Sequence, residues 1–70
     1  MEMTDMIFKK IFQPGEKITG DEAISRIGDI RDFAKNNGFP KEFLMECTDL
    51  QSKIRQMTKE QFEMIMNLYI

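Results

Sequence analysis

FPKEFLMECTDLQSKIRQM, residues 39–57, is the stretch whose periodicity decides the fold. Phe43, Cys47, Leu50, Ile54 and Met57 recur at alternating steps of four and three. At about 100° per residue they fall within a wedge of roughly 80°, with Leu44 on its flank. Thr48, Ser52, Arg55 and Gln56 take the opposite side, so the stretch reads as an amphipathic helix with one apolar seam. Pro40 suits its first turn, where a missing N–H costs nothing. Asn37-Gly38, just before it, is a stop signal for a preceding helix, and Gly38 is free to take a positive φ.

Upstream, Thr19 and Glu22 have the spacing of a capping box, which starts a helix over about 20–37. Ala23, Ile24, Ile27, Ile30, Phe33 and Ala34 span an arc of roughly 180° on it, wide enough to touch two other elements. Arg26 and Arg31 lie within or beside the arc and are expected to lay their stems on apolar surface with their heads in water. Gly28 costs about 1 kcal/mol relative to alanine. It either lets another helix approach closely, the reading favoured here, or merely weakens the centre.

A shorter N-terminal helix is expected over about 5–13, with Thr4 as N-cap and Asp5 near the positive end of the dipole. Met3, Ile7, Phe8, Ile11 and Phe12 share one side of it, and Lys9, Lys10 and Gln13 the other. The lysine pair complements the helix C-terminus, and Pro14-Gly15 ends the helix. Its length is too small to hold a helix in water alone, so its apolar side must dock.

Downstream, Thr58 and Gln61 form a second capping-box pattern, with Met57 and Phe62 placed as a hydrophobic staple. Continuing the central helix unbroken would put Phe62, Ile65 and Tyr69 roughly 40–100° away from Phe43. The seam would then swing too far, which favours a break at Met57–Thr58 and a separate helix over about 59–69. No alternating strand pattern and no repeat is present. The expected fold is therefore all-α. It is one domain, residues 1–70, with three longer helices (about 20–37, 40–57 and 59–69) and a short N-terminal one.

A chain of 70 residues has a core worth only about 3–5 kcal/mol net and often gains stability from a partner. Ten Lys and Arg against twelve Asp and Glu, a net charge of −2, argue against nucleic-acid binding, which needs a basic face. The absence of histidine excludes an ordinary catalytic triad, an imidazole base and a Cys–His metal site. No Gly-rich phosphate loop occurs, and the carboxylate pairs Asp21-Glu22, Asp29/Asp32 and Glu42/Glu46 read as solvated helix faces. No enzymatic activity, metal or cofactor is expected. Cys47, the single cysteine, reads as a small buried hydrophobe on the seam. The acidic N-terminus does not resemble a signal peptide, and no apolar run approaches the ~20 residues of a membrane span. A cytoplasmic location is expected.

Two function classes follow. Phe33-Ala34, Gly38, Phe39 and Leu44 have roughly the spacing of a helix-turn-helix, the alternative reading. Against it, Asn37 stands where that motif buries an apolar residue, and the second helix would offer Pro40, Lys41, Glu42, Met45 and Glu46 to a DNA groove. The preferred reading rests on surplus apolar surface. Seven residues are methionine, a side chain suited to adaptable contacts. Met45 lies opposite the central seam. In the last segment Phe62, Ile65, Met66 and Tyr69 fill one side, while Met64, Leu68 and Ile70 point elsewhere. Such a helix is either central in its own bundle or covered by another chain. Met45, Met64, Leu68 and Ile70 are thus the candidate partner-binding residues. The expected function is protein–protein interaction, as a regulator, inhibitor or adaptor, with a homodimer as one form of it.

Overall fold

The computed structural model describes residues 2–70, and among them the chain forms four helices and no strand. They are α1 (Met3–Ile11), α2 (Gly20–Asn36), α3 (Lys41–Gln56) and α4 (Lys59–Met66). Both capping boxes are made. The Thr19 hydroxyl accepts from the Glu22 N–H at 3.1 Å, and the Glu22 carboxylate accepts from the Thr19 N–H at 3.3 Å. Thr58 and Gln61 exchange the same two bonds at 3.1 and 3.0 Å. The break before α4 is therefore real, with Met57 in an extended conformation at ψ 147°.

The α2–α3 connection follows from one glycine. Gly38 takes φ +72°, the Phe39 N–H reaches back to the Ala34 carbonyl at 2.9 Å, and Gly38 does so to Lys35 at 3.5 Å. This is the Schellman pattern, which turns the chain sharply and needs a residue without a Cβ penalty at C′. Pro40 then acts as N-cap of α3 rather than as its first residue. Contacts run from Gly20 against Ile54 to Gly28 against Gln51, so α2 and α3 pack antiparallel along their length as an αα-hairpin. What stands beside Gly28 is a side chain rather than the backbone of another helix: a Cβ there would lie 3.3 Å from Gln51 Nε2, which donates to the Ile24 carbonyl.

The central seam is the core. Phe43, Cys47, Leu50 and Ile54 are buried, with Leu44 and Met57 partly so, as their spacing requires. Ala23, Ile27 and Ala34 of α2 and Ile7, Phe8 and Ile11 of α1 complete it. Alpha-4 docks through Phe62 and Met66, and the Met66 thioether accepts the N–H of buried Ile18 at 3.4 Å. The radius of gyration, 11.7 Å, is close to the ~11 Å of a compact chain this long.

Four local expectations are corrected. Thr4 does not cap α1, which starts two residues earlier with Glu2 at the N-cap and no side-chain cap bond. Its hydroxyl instead donates to the Glu46 carboxylate of α3, tying the two helices. Second, α1 stops at Ile11, before Gln13 and Pro14, because Phe12 is extended (φ −100°, ψ 131°) and turns its ring into the core. There it lies 5.9 Å from Phe62 and 5.7 Å from Tyr69. Third, α4 ends at Met66, and residues 67–69 form a turn carried by bonds from Leu68 to Ile65 and from Tyr69 to Met66. Fourth, Phe33 is not in the core. It sits roughly 100° round the helix from Ala34, at an edge of the arc that no other element covers.

Candidate interaction surface

The same helix stop that ends α2 builds the candidate site. In a Schellman turn the residue after the glycine commonly contacts the last helical turn. Here that pair is Phe39 on Phe33, edge to face with centroids 6.1 Å apart. Phe39 also meets Phe43 at 5.3 Å, so three rings run from the surface to the core. The inner ring is buried, whereas Phe39 is 42% and Phe33 61% exposed. Helix α1 supplies Met6 and α2 supplies Ile30, both half-buried, and with the three rings they line a groove of about 300 Å³. Its wall is almost wholly apolar, and its charged rim consists of Lys10 from α1 and Asp29 from α2.

The groove continues toward the C-terminus of α1. Lys10, Asp29 and Ile30 also line the adjoining hollow, together with Lys9, Gln13 and Arg26. Two of the four charged side chains there are committed within the chain. Lys9 pairs with Asp5 at 3.2 Å and Arg26 with Glu16 at 2.8 Å. Arg26 also donates to the Ile11 carbonyl at 2.9 Å, capping the shortened α1. The snorkelling expected of Arg26 thus has a specific end point. Its hydrogen bond to Glu16 holds that carboxyl below the ordinary range. Lys10 and Asp29 form no ion pair among the described residues.

The residues proposed from sequence do not form one surface. Met64 is 71% and Leu68 80% exposed, at and just beyond the end of α4. Met45, 55% exposed, lines a separate hollow on α3 with Arg31, Leu44 and Thr48. Ile70 is half-buried and packs on the core, because the final turn swings it inward and its carbonyl accepts the Gly15 N–H at 3.2 Å. Sequence reasoning missed Phe33 and Phe39 as surface residues. The signal was available in the stop sequence itself, since Phe39 falls at C″ and Phe33 at C4 of the turn that Asn37-Gly38 announces.

Cys47 is buried, and burial pushes its thiol up. Among the described residues no cluster of His, Cys, Asp or Glu is arranged to hold a metal ion, and no helix is long and apolar enough to cross a membrane. No protein-family profile, curated protein or solved structure shows significant similarity to the chain.

Proposed function

We propose that the chain is a non-enzymatic protein that acts by binding another protein chain, through the groove framed by Phe33 and Phe39. The observation that carries this reading is the placement of two aromatic rings in water beside an apolar groove. Each such ring keeps a large area hydrated that a partner would cover at about 25 cal/mol per Å². Aromatic anchors beside a preformed apolar hollow are what protein interfaces concentrate their energy in. The groove, about 300 Å³, stands at the low end of the ~300–1,000 Å³ of small-molecule sites. A role as regulator, inhibitor or adaptor follows, with cytoplasmic action the simplest setting.

The nucleic-acid reading has less support. Net charge is −2, the antiparallel hairpin differs from the crossed pair of a helix-turn-helix, and Glu46 of the would-be reading helix is engaged by Thr4. Native capture with wild type beside Phe33→Glu tests the choice. A bound protein that persists in high salt and is lost from the variant is the expected outcome. Binding to nucleic acid that falls steeply with salt and ignores Phe33→Glu would overturn it.

A further inference from the structure

We infer that the occupant of the Phe33–Phe39 groove is a second copy of this chain, related by a two-fold axis lying along the groove. This rests on the reading of the groove as a protein-binding site and names its partner. The rim of the groove is self-complementary in charge. The groove has α1 on one bank and α2 on the other, and each bank carries one charge, Lys10 and Asp29, that forms no ion pair among the described residues. Both residues also line the adjoining hollow, which places them at the end of the groove where the two meet.

A two-fold axis along the groove preserves position along it and exchanges the banks. It therefore sets the α1 bank of one copy against the α2 bank of the other, as an isologous interface requires. Lys10 of each copy then meets Asp29 of its mate, making two equivalent ion pairs from side chains that form none in the monomer among the described residues. Phe33, which projects from the α2 bank, is carried over the Met6 side of the mate's groove and fills the apolar hollow there. A partner bearing net charge of one sign would satisfy one bank and oppose the other. A second copy satisfies both.

The size of the contact sets its strength. An interface covering about a tenth of the 4883 Å² surface, the usual share for a small protein, would be roughly 500 Å² per copy. That is near the lower limit for a specific interface, so the dimer is weak and depends on concentration.

The test is a dilution series from micromolar to millimolar by sedimentation, with circular dichroism on every variant. Wild type is expected to dimerise. Phe33→Ala should raise the dimer Kd by about 30-fold or more, as loss of a central aromatic anchor does. Lys10→Glu and Asp29→Lys should each weaken self-association, since each sets like charges face to face. Mixed in equal amounts, those two variants should pair with each other nearly as well as wild type does with itself, because both ion pairs are restored in the mixed dimer. That rescue is specific to the two-fold arrangement.

A wild type that stays monomeric throughout, or a dimer indifferent to Phe33 and to the charge swap, overturns the second-copy assignment. A photo-crosslinking residue in place of Phe39, introduced in the full chain, then separates the two failures. Crosslinks to a different protein leave the groove as a binding site with another occupant. Crosslinks to nothing overturn both readings.

Discussion

Gly28 stands beneath the carboxamide of Gln51, which crosses from α3 to donate to the Ile24 carbonyl at 3.0 Å. A side chain at position 28 would crowd that approach: a Cβ would lie 3.3 Å from Gln51 Nε2, closer than most such contacts. Two effects of similar size therefore oppose each other in Gly28→Ala. Helix propensity gains about 1 kcal/mol, and displacing the Gln51 hydrogen bond loses about the same. The single substitution is expected to be near neutral in a urea melt. In a Gln51→Ala background the same change should stabilise by about 1 kcal/mol, because nothing is left to displace. Equal gains in the two backgrounds would show that the contact is slack. The residue was legible as a packing glycine, but its partner was not, since a polar side chain in the α3 sequence gives no sign of reaching across a hairpin.

The turn that follows α4 returns the C-terminal residues to α1. Tyr69 packs its ring on Phe8 and Phe12, at 5.4 and 5.7 Å, and donates its hydroxyl to Asp5 Oδ1 at 2.9 Å. That hydrogen bond, aided by Lys9, holds the Asp5 carboxyl below its ordinary 3.8. Burial first, and then the bond to Asp5, push the Tyr69 hydroxyl above its ordinary 10.0. The signs follow from which state binds protons more tightly. For Asp5 the folded state holds the proton less tightly, so its contribution is present above the ordinary value and is lost as pH falls through the folded value. For Tyr69 the folded state holds the proton more tightly. Its contribution is complete below 10.0 and is lost as pH rises through the folded value. Thermal melts across pH should therefore show decline at both ends. Tyr69→Phe should remove the alkaline decline due to this residue and shrink the acid one, since Asp5 loses its principal stabilising bond. Superposable pH profiles for wild type and Asp5→Asn would show that the contact carries no linkage.

At the scale of the whole molecule the apolar surface divides into regions of different kinds. Met64 and Leu68 are free of the core, whereas Ile70 is packed on it and bonded through its carbonyl to Gly15. Polar substitution should separate them. Met64→Lys with Leu68→Glu is expected to leave the melt within about 0.5 kcal/mol of wild type, as exposed sites do. Ile70→Lys should destabilise by about 1–2 kcal/mol through desolvation of the new charge and loss of packing. Equal destabilisation by both variants, read by circular dichroism, would mean that the last turn is held as one packed unit. The Phe33–Phe39 region is a third kind of surface, concave and rimmed by opposite charges.

The sequence by itself determined the elements: the seam from Phe43 to Ile54, the capping boxes at Thr19 and Thr58, the break after Met57 and the positive φ of Gly38. Each is a matter of local geometry within a few residues, where helical periodicity and the count of orphan N–H groups leave one favourable answer. Only the tertiary structure decided which edge of the α2 arc is covered, where Phe12 points, that Thr4 reaches Glu46 and that Ile70 turns inward. Those outcomes compare contacts between segments far apart in the chain. Periodicity gives the direction in which a side chain leaves its helix but not what stands opposite, and Phe33 stays exposed although α1 and α3 both line the groove beside it.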